Sequence, residues 1–153
     1  MKKNILLISI CCILLITGCS NNNNKLNPNI EQNDTKGSDI KMSNVKVTIN
    51  DKVYVLNLEN NKTVNEFIDL LPQDFTMNEL NGNEKYVYID NSLVTSSYNP
   101  GHIEKGDVML YGNNCIVIFY KSFDTSYSYS KIGHIDNLDN LGNGNIVVKF
   151  EKN

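Results

Sequence analysis

Arginine and tryptophan are both absent from this chain of 153 residues, so each of its 14 basic residues is a lysine. Without a guanidinium there is no planar fork of donors to grip a carboxylate or phosphate in two places at once. Positive charge is also scarce overall. The formal net charge is −3, and no basic stripe is present to track a phosphate backbone, which argues against nucleic acid as a partner. Cysteine is thin where it could cross-link: Cys11, Cys12 and Cys19 lie in the N-terminal stretch and only Cys115 lies beyond it. One thiol cannot close an internal disulfide. Also missing are a glycine-rich phosphate loop, a nucleophile elbow and a closely spaced pair of catalytic carboxylates.

What is present begins with a leader. Lys2 and Lys3 form a positive start, and Ile5 to Ile16 is apolar except for Ser9. That run falls short of the roughly 20 apolar residues a membrane-spanning helix needs, and fits the hydrophobic region of a secretory signal. It ends in Ile16-Thr17-Gly18-Cys19, which resembles a bacterial lipobox. Small residues let a peptidase reach the backbone, and the Cys19 thiol accepts a diacylglycerol; two acyl chains hold a protein stably on a membrane. We therefore expect a signal peptide over residues 1–18, lipidation at Cys19, and a domain held on the extracytoplasmic side of the cell membrane. Loss of Lys2 and Lys3 with the leader would take the net charge from −3 to −5, so lipid rather than attraction to anionic headgroups should make the membrane contact. Residues 19–43 contain Asn21 to Asn24 and little that is apolar. They read as a flexible polar linker, unable to bury enough surface to offset their ordering entropy.

The folded domain is expected over residues 44–153. Val45, Val47 and Ile49 alternate with polar residues, Asn50-Asp51 makes a turn, and Val53, Val55 and, less regularly, Leu56 and Leu58 continue the return strand. This pattern predicts an antiparallel hairpin with one buried face. A helix follows over 63–71. Thr63 and Glu66 have the spacing of a capping box. Val64, Phe67, Ile68 and Leu71 recur on one helical face, and Pro72 ends the element. Strands are then expected around Phe75–Leu80 and Tyr86–Ile89, with a turn at Asn81-Gly82-Asn83 between them. Asp90 to Lys105 is mostly polar and is expected to be a surface loop and the first candidate for a binding rim. The densest apolar stretch comes next, Gly106-Asp107-Val108-Met109-Leu110-Tyr111, then Gly112-Asn113-Asn114, then Cys115-Ile116-Val117-Ile118-Phe119-Tyr120. Two runs rich in β-branched and aromatic residues around a Gly/Asn turn predict a central hairpin. Asp136 to Gly142 reads as a short second helix, and Ile146 to Phe150 as a closing strand.

These residues carry a family resemblance. The opening hairpin, a capped helix ending Leu70-Leu71-Pro72, the Glu84-Lys85 step, Gly106-Asp107-Val108 with Tyr111, Ile118-Phe119-Tyr120 and Ile132-Gly133-His134-Ile135 together resemble the small bacterial cyclophilin-like domain. The resemblance covers most of 44–153. It implies a mainly β fold, a compact and nearly closed barrel of about eight strands with the 63–71 helix at one opening. Lys105 departs from the pattern, standing where many relatives have proline. Cyclophilins proper isomerise X-Pro bonds with an arginine beside the imide nitrogen. A chain without arginine lacks that group, and lysine does not reproduce its geometry, which argues against an enzyme of that kind. Fold likeness alone does not carry the activity over.

The remaining candidates are single residues and aromatics. His134 is two residues from Asp136, and on a strand the two would share a face, so a general-base pair is geometrically open. A structural histidine spanning core and surface is the simpler reading. His102 stands alone in its loop, and with Cys115 and His134 it has none of the close spacings of a zinc site. Asp107 reads as an Asx-type turn residue, and Cys115 as a small buried core residue. Tyrosines crowd the central strands, and a tyrosine offers apolar area with a hydrogen-bonding tip, which suits a ligand or peptide cleft. Tyr111, Phe119, Tyr129 and His134 are the expected pocket, while Tyr120 should face away from Phe119. No cofactor is expected. Function then reads as a membrane-anchored domain that binds a peptide or small ligand, with an exported prolyl isomerase or other small enzyme as the alternative.

Overall fold

The structure, a computed structural model, describes residues 42–153. Cys19, the leader and nearly all of the expected linker lie outside the described residues. Asn50 and Asp51 take positive φ values of 43° and 69°, the tight turn whose twist suits a two-residue hairpin. It joins β1 (Asn44–Ile49) to β2 (Lys52–Leu58). The register pairs Val47 with Tyr54 and Val45 with Leu56. Cross-strand partners share a face, so Tyr54 and Leu56 go inward and Val53 and Val55 go outward, 60% and 50% exposed. The alternation of Val53 and Val55 on β2 thus belongs to the outer face, while Val45 and Val47 of β1 are buried.

Helix α1 (Lys62–Asp69) starts a little earlier than its sequence pattern suggested. Asn61 is the cap, its side chain accepting from the Val64 amide at 3.0 Å. Thr63 already lies inside the helix, so the expected capping box does not form. Its hydroxyl donates to the Val94 carbonyl at 2.8 Å, and the Glu66 carboxylate accepts from the Val94 amide. The two residues strap the following loop to the helix instead. Val64 and Phe67 are buried in the main core, where the Phe67 ring meets that of Phe150 edge-on at 5.4 Å.

The remaining strands are β3 (Gln73–Leu80), β4 (Glu84–Tyr88), β5 (His102–Ile103), β6 (Asp107–Tyr111), β7 (Cys115–Phe119), β8 (Phe123–Asp124), β9 (Tyr129–Ile135) and β10 (Ile146–Lys152). Eight of them close a barrel in the order β1-β10-β3-β4-β7-β6-β9-β2, every neighbouring pair antiparallel. Closure leaves no unpaired edge in the barrel itself. β5 and β8 form a separate two-stranded flap.

Two apolar clusters result. The larger fills the barrel and includes Val45, Leu56, Met77, Leu110, Ile116, Ile118 and Phe150. The smaller lies on the opposite side of the wall and holds Ile103, Met109, Cys115, Val117, Phe119 and Tyr129. Tyr120 belongs to the first and Phe119 to the second, as their adjacency required. Cys115 is buried, but outside the barrel.

Residues 136–142 are not helical. Asn137 takes a φ of 54°, which interrupts a right-handed helix at once. Asp139 is tied to β2 by Lys52 and by the Tyr54 hydroxyl at 3.0 Å. The expected surface loop is only partly superficial, since Leu93 and Ile103 are buried. Its backbone bonds the wall through Leu93 to Asn113 at 2.7 Å and through Tyr98 and Tyr129, which exchange both bonds at 2.9 Å.

Candidate functional site

Strand β4 alternates across the barrel wall, so Lys85 and Val87 contribute to the interior while Glu84, Tyr86 and Tyr88 face out. Register then assembles an outer surface. Tyr88 lies opposite Cys115 and Tyr86 opposite Val117. Cys115 lies opposite Tyr111, and Tyr111 opposite Tyr129. Because ladder partners share a face, four strands bring these side chains to one patch. With Leu80, Asn81, Glu84 and Tyr127 they line a groove of about 310 Å³. Its rings stand at steep angles to one another. Tyr86 and Tyr88 are 5.9 Å apart at 80°, and Tyr111 and Tyr127 are 6.0 Å apart at 89°.

The groove holds one carboxyl and one thiol. Glu84 is half-buried; burial and the nearby charge of Glu79 push its pKa up, and no hydrogen-bonding or cationic partner acts against them. The Cys115 thiol is pushed up to about 11, by burial first and then by the charge of Glu84, and a hydrogen bond with Tyr88 only partly opposes this. It stays protonated at neutral pH and is a poor nucleophile.

Of the four pocket residues expected from sequence, Tyr111 and Tyr129 line this groove. Phe119 is fully buried beside it, its ring 5.5 Å from Tyr129 and 5.6 Å from Phe123. His134 is not among the lining residues. β6 and β9 place it directly opposite Asp107, and its Nδ1 lies 2.9 Å from an Asp107 carboxylate oxygen. Asp136, the partner suggested by sequence spacing, is 3.7 Å from Nε2. Asp107 also accepts from the Glu104 amide at 3.2 Å, as a turn residue does, and pairs with Lys131 at 3.0 Å. With all these contacts converging on a carboxylate 2% exposed, the cluster ties β6 to β9. His102 is not isolated: its Nδ1 lies 2.6 Å from Asp124 across the flap. Among the described residues no three His, Cys, Asp or Glu side chains are grouped to hold a metal ion. The expected rim over 90–105 contributes nothing to the groove; Asp90 and Asn91 edge a second cleft of about 380 Å³ with Gln73 and Phe75.

Sequence reasoning passed over Tyr86, Tyr88, Tyr127 and Glu84 as site residues. The first two share the alternation of β4 with Glu84, a signal that was readable, but nothing local says which face of β4 meets Tyr111.

The short motifs have steric causes. Gly106 takes a φ of 103°, and a Cβ there would stand 2.3 Å from the Ile135 carbonyl oxygen. A Cβ on Gly133 would stand 2.2 Å from that of Asn57. Both glycines sit where backbones cross too closely for any side chain. The family model described as the cyclophilin-like family matches residues 47–151, which spans the closed barrel and both glycines. The chain belongs to the cyclophilin-like family. No curated protein and no solved structure matches it significantly. This cyclophilin-like domain has only lysine among its strong bases, and among the described residues no lysine lines the tyrosine groove.

Proposed function

We propose that this cyclophilin-like chain is an exported, lipid-anchored binding domain that takes a peptide or small ligand in the groove outside its barrel. The observation that carries the reading is the groove itself, five tyrosines converging from three strands and the approach to β9 around about 310 Å³. That volume is at the lower end for ligand sites, which run from roughly 300 to 1,000 Å³. Tyrosine supplies rigid contact area and a polar tip at small entropic cost. The anchor rests on the leader ending at Cys19. Labelling with a fatty acid should mark the wild-type chain and not C19S. For the groove, a fragment screen read by NMR on the full chain in maltoside detergent should give shifts concentrated at Tyr86, Tyr88, Tyr111, Tyr127 and Tyr129. Shifts confined to the second cleft, or none, would sink the binding reading. A prolyl-peptide turnover assay addresses the isomerase alternative, and no acceleration is expected in the absence of arginine.

A further inference from the structure

We propose that the groove recognises an organic cation, an alkylammonium or trimethylammonium group of a small molecule seated against Glu84 and enclosed by tyrosine faces. The inference rests on the binding reading above and names the chemistry of the occupant.

Charge is the first argument. Glu84 is half-buried, yet among the described residues it has no ion pair or side-chain hydrogen bond. The other buried or half-buried carboxylates of the barrel wall are engaged: Glu79 with Lys85, Asp107 with Lys131 and His134, Glu151 with Lys46. An unpaired carboxylate partly withdrawn from water is unfavourable, and a bound cation supplies the missing partner. Glu84 lines the groove beside Cys115 and Tyr129, and its charge adds to burial in raising the pKa of both. The lining contains no lysine or histidine to compete.

Ring geometry is the second. The Tyr86–Tyr88 and Tyr111–Tyr127 pairs are close to perpendicular, and Tyr111 and Tyr129 are tilted by 51° at 5.6 Å. Rings set at such angles present π faces and edges to a common space from several directions. The negative ring face attracts a cation by its quadrupole, and enclosure by several rings is how methylated ammonium groups are held. An anion would meet Glu84 and the tyrosine faces unfavourably. A neutral apolar ligand would leave the carboxylate without a partner.

Ionisation sharpens the expectation. The titratable groups sharing the groove with Glu84 are Cys115 from β7, Tyr129 from β9, Tyr127 just before it, Tyr111 from β6, and Tyr86 and Tyr88 on its own strand, while Glu79 of β3 acts by its charge from the inner face. Burial and Glu79 raise the Glu84 pKa, so cation binding should strengthen as pH rises through that raised value and should expel a proton.

The test titrates the full chain in maltoside detergent with choline and with 3,3-dimethylbutan-1-ol, its uncharged isostere, following the tyrosine rings by NMR. Choline should bind at least about tenfold more tightly. In E84Q that preference should fall several-fold, the tyrosine faces keeping the remainder, and Y88L, at an exposed position, should weaken choline without unfolding the chain. Equal affinity for the two probes in the wild type would overturn the cation proposal while leaving the binding reading intact. If neither probe moved a groove tyrosine, the cation proposal would fall, and the fragment screen would separately decide the binding reading. N-acetyl-lysine methylamide as a third probe separates a lysine side chain from a free small molecule. Tighter binding of that peptide mimic than of choline would overturn the assignment to a small molecule.

Discussion

Strand β4 carries Glu84 to the outside of the barrel and Lys85 to the inside, and the two neighbours meet opposite surroundings. Lys85 is fully buried, and its ammonium spends all three donors, on Glu79 and on the carbonyls of Gly142 and Gly144 at 2.6 and 2.7 Å. It lies 5.0 Å from the centre of the Tyr120 ring. Glu79 also accepts from the Tyr120 hydroxyl at 2.8 Å and from the Gly82 amide at 2.7 Å. Burial works to raise the Glu79 pKa, but Lys85 and Tyr120 overcome it and the net shift is downward. Glu84, facing the other way, has its pKa raised with nothing to oppose it. The interior network is complete and holds the 142–144 loop on the barrel. The exterior carboxyl has no such partner among the described residues. A satisfied charge stabilises a fold, whereas an unsatisfied one beside a cavity points to a ligand.

The largest effect should come from the interior. K85M removes the cation, leaving Glu79 without its counter-charge and two glycine carbonyls without their donor, so denaturant unfolding should show a loss of about 3–5 kcal/mol. A loss under about 1 kcal/mol would mean that the network is not what holds that end of the barrel. Next, Y120F deletes one hydrogen bond to a charged acceptor and should lose about 1.5–3 kcal/mol. The Tyr120 hydroxyl itself, pushed up to about 12 by burial first and then by Glu79, stays a donor across the ordinary pH range.

E84Q should act in the opposite direction and less strongly. A carboxyl whose folded pKa is raised contributes stability below its ordinary value and loses it as pH rises through the folded value. Relative to wild type, E84Q should therefore be more stable at pH 7, with the gain fading as pH falls through the raised folded value and absent below the ordinary glutamate value of 4.5. Denaturation at several pH values checks this, and a destabilised E84Q at pH 7 would mean that Glu84 has a partner within the fold. For Glu79 the sign reverses, its contribution being present above 4.5 and lost as pH falls through the depressed value.

The smallest effect concerns the flap over the exterior cluster. Its clip to Asp124 and then the charge of Glu104 raise the His102 pKa, against some desolvation. That stabilisation is present below the ordinary histidine value of 6.5 and is lost as pH rises through the higher folded value. Hydrogen-exchange protection at Thr125, whose amide bonds Gly101 at 2.9 Å, should decline over that range in the wild type. In H102N the decline should be absent.

The sequence by itself determined the elements. Valine alternation, the Asn50-Asp51 turn, the amphipathic run ending at Pro72 and the Gly106 and Gly133 motifs are all local or nearly so, and each survives in the barrel. Sequence reading faltered where two local solutions were nearly equal. Asn61 and Thr63 are both good caps, and the Asp136–Gly142 stretch has helical spacing that a single left-handed residue cancels. The groove was decided only by tertiary structure. A strand's period of two assigns residues to two faces but does not name the face that meets a given neighbour. That depends on the register of β4 against β7, β7 against β6 and β6 against β9. The same registers brought Tyr111 and Tyr129 together, sent His134 to Asp107, and left Glu84 facing the tyrosines.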